Sequence, residues 1–132
     1  MLHNDSHKLE SNFVNVTIQP NDSVMLKNLA GSRLGVWITH GEGKFKLPYA
    51  ESEYAIPIKF SYDRYPANPN GSAFAAAAIC SKDGRHLAMM PHLERSTFPW
   101  NWAYYEEGRE NDEVSPWIEA FVNARKWVEA QK

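Results

Sequence analysis

Short stretches of the chain alternate apolar and polar positions, and one long stretch near its end repeats them at helical spacing. In NFVNVTI (12–18) the apolar residues are Phe13, Val14, Val16 and Ile18, a spacing that predicts a strand. QPND (19–22) reads as a turn. SVMLKNLAG (23–31) predicts a short helix, with Asp22 or Ser23 as its cap and Gly31 as its stop. RLGVWITH (33–40) predicts a second strand, rich in β-formers at Val36, Trp37 and Ile38. YAIPIKFSY (54–62) predicts a third, which Pro57 confines to a sheet edge or a bulge. PANPNGS (66–72) is too dense in Pro, Asn and Gly for a regular element and reads as a loop.

AFAAAAIC (73–80) is rich in alanine, which favours helix, but its short length between turn signals fits a buried strand. The Asp83-Gly84 pair that follows is a hairpin signal, so RHLAMM (85–90) becomes the antiparallel partner. FPWNWAYY (98–105) reads as an aromatic loop and EEGREND (106–112) as a solvated, mobile one. In SPWIEAFVNARKWVEAQK, Ser115 reads as N-cap and Pro116 as first-turn residue. Trp117, Ile118, Phe121, Ala124 and Val128 then form one helical stripe, flanked by Trp127.

Composition adds bounds. With 132 residues, 43% hydrophobic and 23% charged, the chain is a globular domain or part of one. A net charge of −2 with scattered Lys and Arg gives no basic field for nucleic acid and no polybasic membrane patch. The single cysteine excludes an internal disulfide, which makes a reducing, cytoplasmic setting the expectation. No apolar run is long enough to span a membrane as a helix.

Chemistry concentrates in MMPHLER (89–95). Pro91 favours extended backbone before it, and side chains two apart on an extended segment point the same way. His92 and Glu94 can therefore converge as an imidazole–carboxylate pair, the base and orienter of a catalytic triad. A surface histidine beside an unrelated Glu94–Arg95 pair is the plainer alternative. Such a pair ordinarily serves a nucleophile, but Cys80 ends an alanine run before a hairpin, a setting that predicts a buried, inert thiol. THGEGKF (39–45) is no phosphate loop, since neither Gly-Lys-Ser/Thr nor a helix follows. His3 and His7, even with His40, make a poor metal set, and no metal site is expected.

In series, HNDSHKLES, GVWITHGEGKF, YPANPNGS, DGRHLAMMPHLER and SPWIEAFVNARKWV resemble the glutaminase region of the phosphoribosylformylglycinamidine synthases, and of their large single-chain form in particular. The resemblance implies an α/β fold: the C-terminal half of a class I, flavodoxin-like amidotransferase domain, with a mixed sheet and a C-terminal helix. It implies a Cys-His-Glu triad in which His92 moves protons and Glu94 orients it. His40 and Gly41 of the HGEG stretch, and Asn68 and Asn70 of the PANPNGS loop, would wall the glutamine site. Leu93 stands where the family has proline, which predicts a freer turn between the two catalytic residues. The family's G-x-C-x-G-x-Q nucleophile stretch does not occur in these 132 residues. The chain is therefore expected to lack glutaminase activity alone and to need the nucleophile-bearing half as partner. In the whole enzyme, ATP and Mg²⁺ belong to the synthetase part and no cofactor to this chain. An uncovered sheet edge or face would favour homo-oligomers. A non-catalytic, glutaminase-like interaction module is the alternative.

Overall fold

A computed structural model describes residues 1–132. Six strands form one antiparallel sheet in the order β5-β4-β3-β1-β2-β6. They are β1 (Glu10–Ile18), β2 (Arg33–His40), β3 (Ala55–Phe60), β4 (Ala76–Cys80), β5 (Leu87–Met89) and β6 (Pro91–His92). One helix, α1 (Ile118–Ala130), follows them. The β1–β2 hairpin is the longest ladder, running from Glu10↔His40 to Thr17↔Arg33.

The two outermost strands, β5 and β6, are neighbours in sequence, separated only by Met90. The run Leu87–Met89 pairs with β4, and Pro91–His92 pairs with β2. One bent segment thus joins both edges of the sheet and rolls it into a nearly closed barrel. This corrects the expected fold: every pairing is antiparallel, and the sheet is neither flavodoxin-like nor mixed. β5 and β6 end the strand order with one paired neighbour each, so the expectation of an uncovered edge is not overturned.

Alternation explains the interior. Val14, Val16 and Ile18 of β1, Val36 and Ile38 of β2, and Ile58 and Phe60 of β3 cluster in one core with Ala77, Ala78 and Leu93. The small alanines of β4 give room for the larger side chains opposite, as close packing requires. Pro57 lies in a central strand, not at an edge, and the β3–β4 register shifts between Ala55 and Ile58 where it sits. The bulge of the two expected alternatives is the one found.

Two expectations for helices change. The helix over 23–31 is absent: only Lys27–Leu29 forms a 3-10 turn. Asn21 captures the Ser23 amide, and Asp22 pairs with Lys27 at 3.2 Å instead of capping. Gly31 does take the positive φ foreseen for a stop, donating its amide to Ile18. The C-terminal helix forms, but its stripe is buried only at the start. Trp117 and Ala120 are fully buried, and the Trp117 indole donates to the Gly35 carbonyl at 2.8 Å. Phe121 and Val128, also assigned to the stripe, are exposed. Ser115 accepts from the Trp117 amide and donates to the Ser96 carbonyl, which ties the helix start to the segment after β6.

Candidate functional site

His92 is the last residue of β6, opposite Trp37 of β2. The chain then tightens into a 3-10 turn over Leu93–Arg95. Glu94 is therefore not on an extended segment, yet the turn swings its carboxylate back: His92 Nδ1 lies 2.7 Å from Glu94 Oε1. Leu93, between them, is 3% exposed and belongs to the barrel core. A buried anchor thus fixes the turn at the position where the freer φ predicted looseness. The bond to Glu94 occupies Nδ1 and leaves Nε2 as the other ring nitrogen, the arrangement in which a carboxylate sets the tautomer of an imidazole that exchanges protons.

Glu94 is mostly solvent-exposed, yet burial is the largest single influence on its carboxyl and works against its charge. Its bond to His92, its own backbone amide and the charges of His92 and Arg95 outweigh this and hold the carboxyl below its ordinary range. Glu94 is thus ionised near neutrality, as an orienting carboxylate must be. Beside the pair lies a cleft of about 440 Å³, lined by Ser11, Trp37, Thr39, Arg95, Trp100 and Asn101. A second cavity, also about 440 Å³, lies between the outer face of β1–β2 and the loop at Trp102–Arg109, and His92 and Glu94 line neither of the two.

Cys80 is at the other end of the same border. It pairs with Leu87, five residues before His92, a stretch of at most about 16 Å at about 3.3 Å per residue. Cys80 is half-buried rather than buried, and burial together with Asp22 raises its thiol pKa. A raised thiol pKa leaves it a poor nucleophile for His92 to serve.

Beneath the pair, the HGEG and PANPNGS stretches interlock. His40 ends β2 at 6% exposure, and its Nε2 lies 3.1 Å from Asn70 Nδ2. Asn70 Oδ1 accepts from the Ser72 amide and hydroxyl, and that hydroxyl oxygen accepts from the Phe45 amide. Asn68 accepts from the Gly71 amide and donates to the Ser72 carbonyl at 3.2 Å. Gly41 gives its carbonyl to the Asn4 amide. Gly43 must be glycine, since a Cβ there would enter the His40 ring. His40, Gly41, Asn68 and Asn70 are thus brought into one layer, their polar groups largely engaged within the chain.

Sequence reading missed two members of this layer. Asn4 is fully buried, donates to the His40 carbonyl at 2.7 Å and accepts from the Gly43 amide. Glu10 is the cross-strand partner of His40. A signal for Glu10 did exist, because it shares the inward phase of Val14, Val16 and Ile18. A carboxylate on the apolar phase of a strand calls for a partner. His3 lies near Glu42 at the surface, and no group of three or more His, Cys, Asp or Glu side chains is placed to hold a metal ion.

Comparison with known proteins shows the family of the chain. Residues 1–128 match the model of the CobB/CobQ-like glutamine amidotransferase domain. The phosphoribosylformylglycinamidine synthase of Dictyostelium discoideum is 40% identical over 149 residues, covering 98% of this chain and 11% of the relative. That of Homo sapiens is 40% identical over 140 residues, covering 97% and 10%. The chain thus spans about a tenth of the length of these relatives. The structure of PurLQS from Thermotoga maritima superposes with a TM-score of 0.71 at 20% identity, covering 96% of this chain and 51% of that one, and shows the shared fold. The chain belongs to the CobB/CobQ-like glutamine amidotransferase domain family, related to the glutaminase region of the large phosphoribosylformylglycinamidine synthases.

Proposed function

We propose that this chain supplies the proton-handling half of a glutaminase centre serving phosphoribosylformylglycinamidine synthesis. The nucleophilic cysteine would come from sequence outside these 132 residues. The observation that carries the reading is the 2.7 Å bond between His92 Nδ1 and Glu94 Oε1, in a chain of this family. His92 Nε2 takes the thiol proton as the sulfur attacks the side-chain amide carbon of glutamine. It returns that proton to the departing nitrogen, which leaves as ammonia while a glutamyl thioester forms. His92 then draws a proton from water, whose oxygen attacks the thioester and releases glutamate and the thiol. Glu94 keeps the imidazole in one tautomer throughout and supports its charged form.

His40, Gly41, Asn68 and Asn70 shape the wall behind the pair. ATP and Mg²⁺ enter the proposal only through the synthetase part, where ammonia would be consumed in converting formylglycinamide ribonucleotide to its amidine. No step in this chain runs through them. A cytoplasmic setting belongs to the same proposal.

Glutamine hydrolysis tests it. The 132-residue chain alone is expected to release no ammonia. Adding the cysteine-bearing half of a relative's glutaminase domain should restore release, and His92→Ala should abolish it. Hydrolysis by the chain alone that survives Cys80→Ala but not His92→Ala would overturn the assignment of the nucleophile to other sequence.

A further inference from the structure

Behind His92 and Glu94 lies a second imidazole–carboxylate combination. Its tautomer follows from hydrogen bonds. The Ser72 backbone amide, which can only donate, contacts one end of the Asn70 side chain at 3.0 Å, so that end is the carbonyl oxygen. The other end is the amide nitrogen, and it donates to His40 Nε2 at 3.1 Å. Nε2 is therefore the acceptor, and the ring proton is on Nδ1. His40 Nδ1 is buried without a partner in the chain, and so is Glu10 Oε1. The two residues face one another across the β1–β2 ladder. A buried donor and a buried acceptor, each unpaired and on paired positions, match one another through a small side-chain shift or a single water.

We propose that His40, held in the Nδ1–H tautomer between Asn70 and Glu10, is a positioning residue for His92. The part concerning catalysis rests on the reading of His92 given above. The coupling has a structural route. Asn70 fixes His40 to the 68–72 loop, and His40 ends the strand whose Trp37 and Ile38 pair with His92 and Pro91. A shift of the loop thus reaches the dyad through one strand end. It also has an electrostatic route. Burial and the neighbouring His92 hold His40 below the ordinary imidazole range, while Glu10 pulls the other way. His40 then stays neutral while His92 gains and loses its proton, so the two rings do not compete for it.

Long-range ¹H–¹⁵N NMR on the labelled 132-residue chain tests the proposal, with His40 assigned by its loss in His40→Gln. At neutral pH the expected signature is a protonated Nδ1 and an unprotonated Nε2. Asn70→Ala should replace that single tautomer by an exchanging mixture. His92→Gln should move the His40 titration upward, and Glu10→Gln should move it down. Those two shifts distinguish coupling from a merely structural role. A proton on Nε2 in the unaltered chain overturns the proposal even if the Asn70, Glu10 and His92 variants misfold. A His40 titration indifferent to His92→Gln also overturns it. None of these readings uses glutamine, so the result stands apart from the hydrolysis assay.

Discussion

Leu93 separates the two residues of the dyad, and its side chain decides how well they are held. It is buried in the barrel core, while Glu94 beside it is solvent-exposed. Leu93→Ala is expected to cost about 2–5 kcal/mol of stability, the range for truncating a buried leucine. Because the turn also places the Glu94 carboxylate, the variant should weaken the bond to His92. Urea unfolding gives the first quantity and the ¹⁵N spectrum of His92 the second. A stability loss with an unchanged His92 spectrum would show that the turn holds itself. His40 gives a pH dependence. Its folded value lies below the unfolded value of about 6.5, so between the two the unfolded chain binds more protons. Stability contributed by neutral His40 is full above that unfolded value and is lost as pH falls toward the folded one. Urea midpoints measured from pH 7.5 downward should decline, and His40→Gln should decline less. Equal slopes would remove His40 from the account.

At the scale of elements, the hairpin between β4 and β5 shows how much a turn residue can do. Gly84 takes φ +71°, and a Cβ there would collide with the Asp22 backbone carbonyl. Its own carbonyl accepts from the Val24 amide at 2.9 Å, so the turn docks on the segment before Lys27. Gly31 has φ +87° but open space around it. Gly31→Ala should therefore cost only the backbone strain, about 1–2 kcal/mol. Gly84→Ala should cost more, since strain and undocking of the hairpin add. Denaturation midpoints compare them directly, and equal losses would contradict the docking. Asp83 marks the same turn. The Ser81 hydroxyl and the Arg85 amide hold its carboxyl at about 2. The hairpin itself was legible in Asp83-Gly84, and β2 in the β-formers of 33–40, because both signals are local. The absent helix at 23–31 was not legible, since side chains of Asn21 and Asp22 bond locally where a cap was expected. Convergence of His92 and Glu94 was foreseen from their spacing, although a turn rather than an extended strand produces it.

For the whole molecule, the decisive feature is that residues 87–92 pair at both ends, and nothing in their apolar pattern says so. Periodicity reports which face of a strand is buried; it does not report how many neighbours the strand has. Family resemblance led toward a mixed sheet, and pairing across the whole chain overruled it. Three of the exposed apolar side chains lie on α1, where Phe121, Trp127 and Val128 follow the buried Trp117 and Ala120. Trp127 and Val128 border a groove with Met25 and Leu87 that is lined by both the helix and the barrel. We expect the isolated chain to self-associate through this helix face, as exposed apolar surface favours. Light scattering across a concentration series should show a mass above 15.1 kDa that falls to the monomer in Val128→Glu. Position 128 suits the test because its side chain is already half exposed, so the charge meets water in the monomer and only a partner in the dimer. Trp100→Glu, on the aromatic loop beside the dyad cleft, should leave the mass unchanged. If Trp100→Glu dissociates the assembly and Val128→Glu does not, the contact lies at the cleft and the helix face is free.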